Sequence, residues 1–158
     1  MQKITPCLWF DSQAEEAATF YTGIFKNSSI GAISRYGEDM PKPAGTVMTV
    51  AFTLNGQEFT ALNGGPEFSF SEAISFQVDC ADQTEVDEYW DALTADGGQE
   101  SQCGWLKDKF GVSWQIVPSA LPAVLGGPDP AGAQRAVAAM MQMRKLDIGV
   151  LQKAYDGE

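Results

Sequence analysis

The 158-residue chain carries 10 Lys and Arg against 21 Asp and Glu, has no histidine, and reaches a net charge of −11 with 44% hydrophobic and 20% charged residues. That length builds one domain, or two fused halves, around a sizeable core, and that charge repels a nucleic-acid backbone or an anionic membrane, so neither is an expected partner. Without histidine the commonest metal ligand and the commonest general base are both missing, which excludes a Ser-His-Asp triad, a Cys-His pair and an HExxH zinc site.

The first residues, MQKITPCLWF, lack a long apolar run and a small-residue cleavage site, so no secretion signal is expected. No stretch approaches the roughly 18 continuous apolar residues of a membrane span. Three cysteines, Cys7, Cys80 and Cys103, are an odd number without paired short spacing, which suits a reducing cytoplasm better than a disulfide framework.

In chain order, Ile4 to Phe10 reads as a short strand with an early bend at Pro6. Ser12 with Glu15 matches a capping box, and Ala14, Ala17, Ala18, Tyr21, Ile24 and Phe25 fall on one face of the helix that follows. Ser29 to Tyr36 reads as a strand, 37–45 as an exposed loop, and Val47 to Leu54 with Glu58 to Asn63 as a hairpin turning at Asn55-Gly56. The pattern then recurs about 70 residues on. Ala73 to Val78 is a strand, Asp82 with Glu85 a second cap, and Val86, Tyr89, Trp90 and Leu93 a second apolar stripe ended by Gly97-Gly98. This spacing predicts a diverged duplication.

The stretch 103–118, CGWLKDKFGVSWQIVP, reads as strand, turn and strand, with Ser113, Gln115 and Val117 on one face and Val112, Trp114 and Ile116 on the other. After Pro118 the composition shifts. Residues 125–130, LGGPDP, read as a linker, and Ala131 to Tyr155 as a helical tail with Val137, Met140, Met141, Ile148 and Leu151 on one side. The expected organisation is a first module over 1–66, a second over 67–120, and a linker and tail over 121–158.

Two βαβββ units carrying FDSQAEEAATFYTGIF, ALNGGPEFSFSEAISFQV and CGWLKDKFGVSWQIVP resemble the glyoxalase, bleomycin-resistance and dioxygenase superfamily, the vicinal oxygen chelate proteins. Within it the chain looks most like the PhnB-like branch, whose members are often labelled 3-demethylubiquinone-9 3-methyltransferase. The resemblance implies an α+β fold of two tandem βαβββ modules whose curved sheets enclose a cleft, commonly completed in a homodimer. In metal-using relatives four strand positions supply His, Gln or Glu to a divalent ion. Carried over, they fall at Thr5, at or beside Ala61 with Asn63 on the same face, at Ala73 with Ser75 next along, and at Gln115. Only Gln115 keeps a plausible ligand atom, so no metal and no cofactor are expected. Nor does any strand lead into a GxGxxG-like loop; the NGGP at 63–66 reads as a turn.

Strand alternation puts Thr5, Cys7 and Trp9, Phe59, Ala61 and Asn63, Ala73, Ser75 and Gln77, and Ser113 and Gln115 on the cleft side. Such a wall suits a small, partly aromatic or amphiphilic ligand, unless these residues fill the interior themselves. Trp105 either stacks on that ligand or is structural. Cys103 is a reactive thiol only if Lys107, Lys109 or a helix N-terminus activates it. Asp108 is either an acid-base group or bonded to its own turn. The expected function is small-molecule binding in a largely uncharged cleft by a cytoplasmic homodimer. The alternative is an enzyme of the same superfamily, a metal-dependent lyase, isomerase or oxygenase, or a methyltransferase.

Overall fold

The computed structural model describes residues 2–158, and the chain divides into two compact units between Phe70 and Ser71. In the first unit, β1 (Cys7–Phe10), α1 (Ala14–Ile24), β2 (Ser29–Arg35), β3 (Val47–Leu54) and β4 (Gln57–Asn63) form a sheet of order β1-β4-β3-β2 with a helix on one face. β1 runs parallel to β4, and the other pairs are antiparallel. The β3–β4 turn is the expected two-residue one, with positive φ at both Asn55 and Gly56.

The helix stripe meets the sheet as its spacing requires. Ala14, Ala17, Ala18 and Tyr21 are buried, and Tyr21 stacks on Phe52, which stacks on Phe59 with ring centroids 5.3 Å apart. Three alanines let the helix lie close, and the aromatic rings fill the space beyond them. The start of α1 differs from the expected capping box. Its N-cap is Gln13, without a side-chain bond, and Asn63 Oδ1 instead accepts from the Ala14 N–H at 2.8 Å. The register pairing Phe10 with Asn63 brings that carboxamide to the helix start from the end of β4, so a residue 49 positions away satisfies the free donor.

The second unit repeats the topology. It contains β5 (Ser75–Cys80), α2 (Gln83–Thr94), β6 (Gln99–Glu100), β7 (Trp105–Lys107) and β8 (Ser113–Pro118) in the order β5-β8-β7-β6, with β5 parallel to β8. Here the cap forms as expected. Asp82 accepts from the Glu85 N–H at 2.9 Å, and Glu85 reaches back to the Ala81 N–H. Val86, Trp90 and Leu93 pack with Leu106, Trp114 and Ile116, all nearly or fully buried.

The tail forms α3 (Leu121–Leu125), α4 (Pro130–Met140) and α5 (Ile148–Asp156) within the second unit. Of the expected apolar side only Leu151 is buried, while Val137 and Met141 are exposed. α4 buries Gly132 and Ala136 instead, and a Cβ on Gly132 would meet the Tyr155 carbonyl oxygen at 2.7 Å. Close approach through small residues, rather than a large apolar stripe, joins these helices. The stretch read as a linker is also held, since the Tyr155 hydroxyl accepts from the Asp129 N–H at 3.0 Å. The connector between α4 and α5 docks on the sheet unit. Met143 and Arg144 carbonyls accept from the Cys103 and Gly104 N–H groups, and Gln83 bonds both Leu146 and Ile148 backbone.

Candidate functional site

In the second sheet the register aligns side chains into rungs on the face away from α2. One rung runs Gln99, Lys107, Ser113, Ser75 across four strands, and the next runs Trp105, Gln115, Gln77. Register partners share a face, so Ser75, Gln77, Trp105, Ser113 and Gln115 come together as the sequence predicts. Gln115 Nε2 donates to Ser75 Oγ at 2.8 Å, and Gln77 Nε2 reaches Gln115 Oε1 at 3.4 Å. Lys107, named from the sequence only as a possible activator of Cys103, adds an ammonium to this face and pairs with Glu72. A cavity of about 250 Å³ opens beside it, lined by Glu72, Gln99, Glu100, Trp105, Lys107 and Ser113.

The first sheet corrects the expected parity. Cys7 pairs with Thr60 and Trp9 with Leu62, whereas Leu8 pairs with Ala61 and Phe10 with Asn63. Phe59 and Ala61 are therefore core residues beneath α1, buried with Leu8 and Phe10. Thr60 and Leu62 take the open face beside exposed Cys7 and half-buried Trp9. The two-residue Asn55-Gly56 turn carries the missing signal. It sets Leu54 opposite Gln57 and Phe52 opposite Phe59, which ties Phe59 to the Val50-Phe52-Leu54 core face. Asn63 also serves the scaffold, since its Nδ2 donates to the Val47 carbonyl at 3.1 Å while its Oδ1 holds α1. Thr5 is exposed ahead of β1, within reach of Gln2, and Ala73 precedes β5.

The NGGP segment is a turn rather than a cofactor loop. Trp9 donates to the Gly65 carbonyl at 2.9 Å, and a Cβ on Gly64 would lie 2.4 Å from the Trp9 ring, so the indole occupies the space above that glycine. Asp108 belongs to its own turn. Its buried carboxylate accepts from the Phe110 and Val112 N–H groups and from Trp114 Nε1 at 2.9, 3.1 and 2.9 Å. Cys80 is buried, and desolvation, with Glu85, Asp79 and Asp82 adding to it, pushes its thiol up to about 12, which removes it as a nucleophile near neutrality. Cys103 lies with its sulfur 3.6 Å from that of Met141.

A divalent ion does not fit this donor set. The positions carried over from metal-using relatives offer hydroxyl and amide groups, and Gln115 and Ser75 already bond each other. Among the described residues no group of three or more His, Cys, Asp or Glu side chains is placed to hold a metal.

A first strand parallel to the last, repeated in two β-α-β-β-β units, is the fold of glyoxalase-like tandem modules. The family model of 3-demethylubiquinone-9 3-methyltransferase matches residues 2–117, and the chain belongs to that PhnB-like family. It is similar to the structure of a Bacillus cereus PhnB protein, provisionally described as a 3-demethylubiquinone-9 3-methyltransferase, at 42% identity over 75% of this chain and 100% of that one, with a TM-score of 0.68. A Pseudomonas aeruginosa protein at 21% identity, covering 75% and 98% of the two chains with a TM-score of 0.61, shares the fold. So does the Listeria monocytogenes fosfomycin resistance protein FosX, solved with Mn(II) and sulfate, at 15% identity, coverage of 80% and 98% and a TM-score of 0.54. No curated protein matches the chain.

Proposed function

We propose that the protein binds a small, largely uncharged organic molecule on the open face of its second sheet, and that it does so without a metal. The observation that carries this reading is the Ser75–Gln115–Gln77 hydrogen-bonded row beside Trp105. Carboxamides and hydroxyls on a sheet face, next to a half-buried indole, orient a ligand by hydrogen bonds while the ring supplies contact area. The same row stands where metal-using relatives place a ligand, and its atoms bond one another instead. The protein acts as a homodimer in the cytoplasm, a setting supported by its three unpaired cysteines.

The family name favours a second reading, methyl transfer. The two are separated by titrating S-adenosylmethionine and a set of single-ring organic compounds into the protein and its Gln115→Leu variant while following tryptophan fluorescence. The binding reading expects saturable responses to ring compounds that weaken in the variant, and none to S-adenosylmethionine. Saturable binding of S-adenosylmethionine by the unaltered protein would move methyl transfer ahead.

A further inference from the structure

Ser113 is the feature that the binding face leaves unexplained. It is 1% exposed, and among the described residues nothing donates to its hydroxyl or accepts from it. Buried polar groups are nearly always paired, because an unpaired one keeps its full desolvation cost. Ser113 is also one of the residues lining the cavity of about 250 Å³. On its rung it stands between Lys107 on one side and Ser75 on the other, and Ser75 is already accepting from Gln115.

We propose that this cavity is the anchoring subsite of the ligand, and that it takes an uncharged planar ring bearing a carbonyl oxygen; the inference rests on the open-face reading above. The two carboxylates of the lining are already engaged, Glu100 by Trp90 Nε1 and Arg144 and Glu72 by Lys107, which leaves donors on offer. The Ser113 O–H is uncommitted, and the Lys107 ammonium has three N–H groups against its contact with Glu72, so the ligand supplies an acceptor. Charge points to a neutral one. Glu72 neutralises Lys107, Glu100 lies in the same wall, and the chain carries a net −11, so a free anion is disfavoured, while the ammonium disfavours a cation. Shape points to a flat one, because Trp105 forms the aromatic wall. The volume lies below the roughly 300–1,000 Å³ of drug-sized sites, so a single ring is the matching size.

The test uses the full chain and three probes: acetophenone, benzoate, and cyclohexyl methyl ketone, which keeps the carbonyl but loses planarity. Binding is read from the Trp105 indole N–H resonance, identified with Trp105→Phe, and stability from thermal unfolding. Acetophenone is expected to bind saturably and about three- to tenfold more tightly than either other probe. Ser113→Ala is expected to weaken acetophenone about three- to tenfold and yet to raise the melting temperature of the free protein, since the unpaired hydroxyl is gone. Ser113→Cys, which keeps the size but offers a weak donor, should fall between. Preference for benzoate, or a Ser113→Ala variant that melts lower and binds acetophenone unchanged, would overturn the subsite. If acetophenone binding then still falls in Gln115→Leu, the open-face reading survives without it. No response to any probe would overturn this inference, and the ring-compound titration would decide the broader reading separately.

Discussion

Asn63 uses both ends of its carboxamide inside the first unit, accepting from the first turn of α1 and donating to the Val47 carbonyl. Its replacement by alanine strands one donor and one acceptor, and Asn63→Ala should cost about 1–3 kcal/mol, readable as a lower urea midpoint. A loss near zero would mean that water replaces both bonds. Asp108 carries more. It is buried and accepts from three N–H groups, so Asp108→Ala should cost about 3 kcal/mol or more, while Asp108→Asn, which keeps one acceptor oxygen, should cost less. Equal losses would show that the one acceptor oxygen asparagine keeps contributes nothing without the second. Both residues sit in stretches whose turn chemistry is visible in the sequence, yet only the Asp108 bonds are local. The Asn63 bonds join β4 to a helix start 49 positions earlier, and no local pattern at Ser12 and Glu15 reveals that the cap comes from elsewhere.

Between elements, the apolar stripes and turn signals locate the strands and helices of the two modules to within a few residues, because period and punctuation are local properties; the two-residue β6 (Gln99–Glu100) is too short to carry either signal. Facing is not local. In the second sheet the alternation in β5, β7 and β8 agrees with the pairing, so five of the expected residues share a face. In the first sheet alternation within a strand leaves open which face is which, and the two-residue turn decides it for Phe59 and Ala61. The tail illustrates the same limit, since its contacts use glycine, alanine and backbone carbonyls that leave little hydrophobic signature. One side-chain tie of that tail is the Lys145–Asp87 ion pair at 2.9 Å, with both side chains more than a third exposed. The hydrogen bond from Lys145, then that from Gln83, lowers the Asp87 pKa, and Asp87 in turn raises that of Lys145. A lowered acid contributes above its unfolded value and is lost as pH falls through its folded one. A raised base contributes below its unfolded value and is lost as pH rises through its folded one. The pair therefore holds between about pH 4 and pH 10. Protection factors against hydrogen exchange over 141–147 should fall below that window, less so in a Lys145→Met variant; identical pH profiles in both would remove the pair as a tie.

At the scale of the whole molecule, the duplicated topology and the absence of histidine act on different questions. Topology follows from elements that recur about 70 residues apart, and it is legible because each copy keeps its own strand, cap and stripe. The open face of the second sheet carries an uncharged hydrogen-bonded row, Ser75–Gln115–Gln77, and among the described residues the buried Ser113 hydroxyl has no hydrogen-bond partner. Despite the excess acid, at −11, no group of three or more His, Cys, Asp or Glu side chains among the described residues is placed to hold a metal, the carboxylates being spread over caps, turns and ion pairs. The most direct measurement is elemental analysis of protein purified without a histidine tag or added metal, combined with thermal unfolding in manganese, nickel and zinc. The account predicts no stoichiometric metal and no rise in melting temperature with any of the three, because an ion bound only by the native state must stabilise it. One equivalent of metal per chain, with a melting temperature that rises with ion concentration, would contradict it.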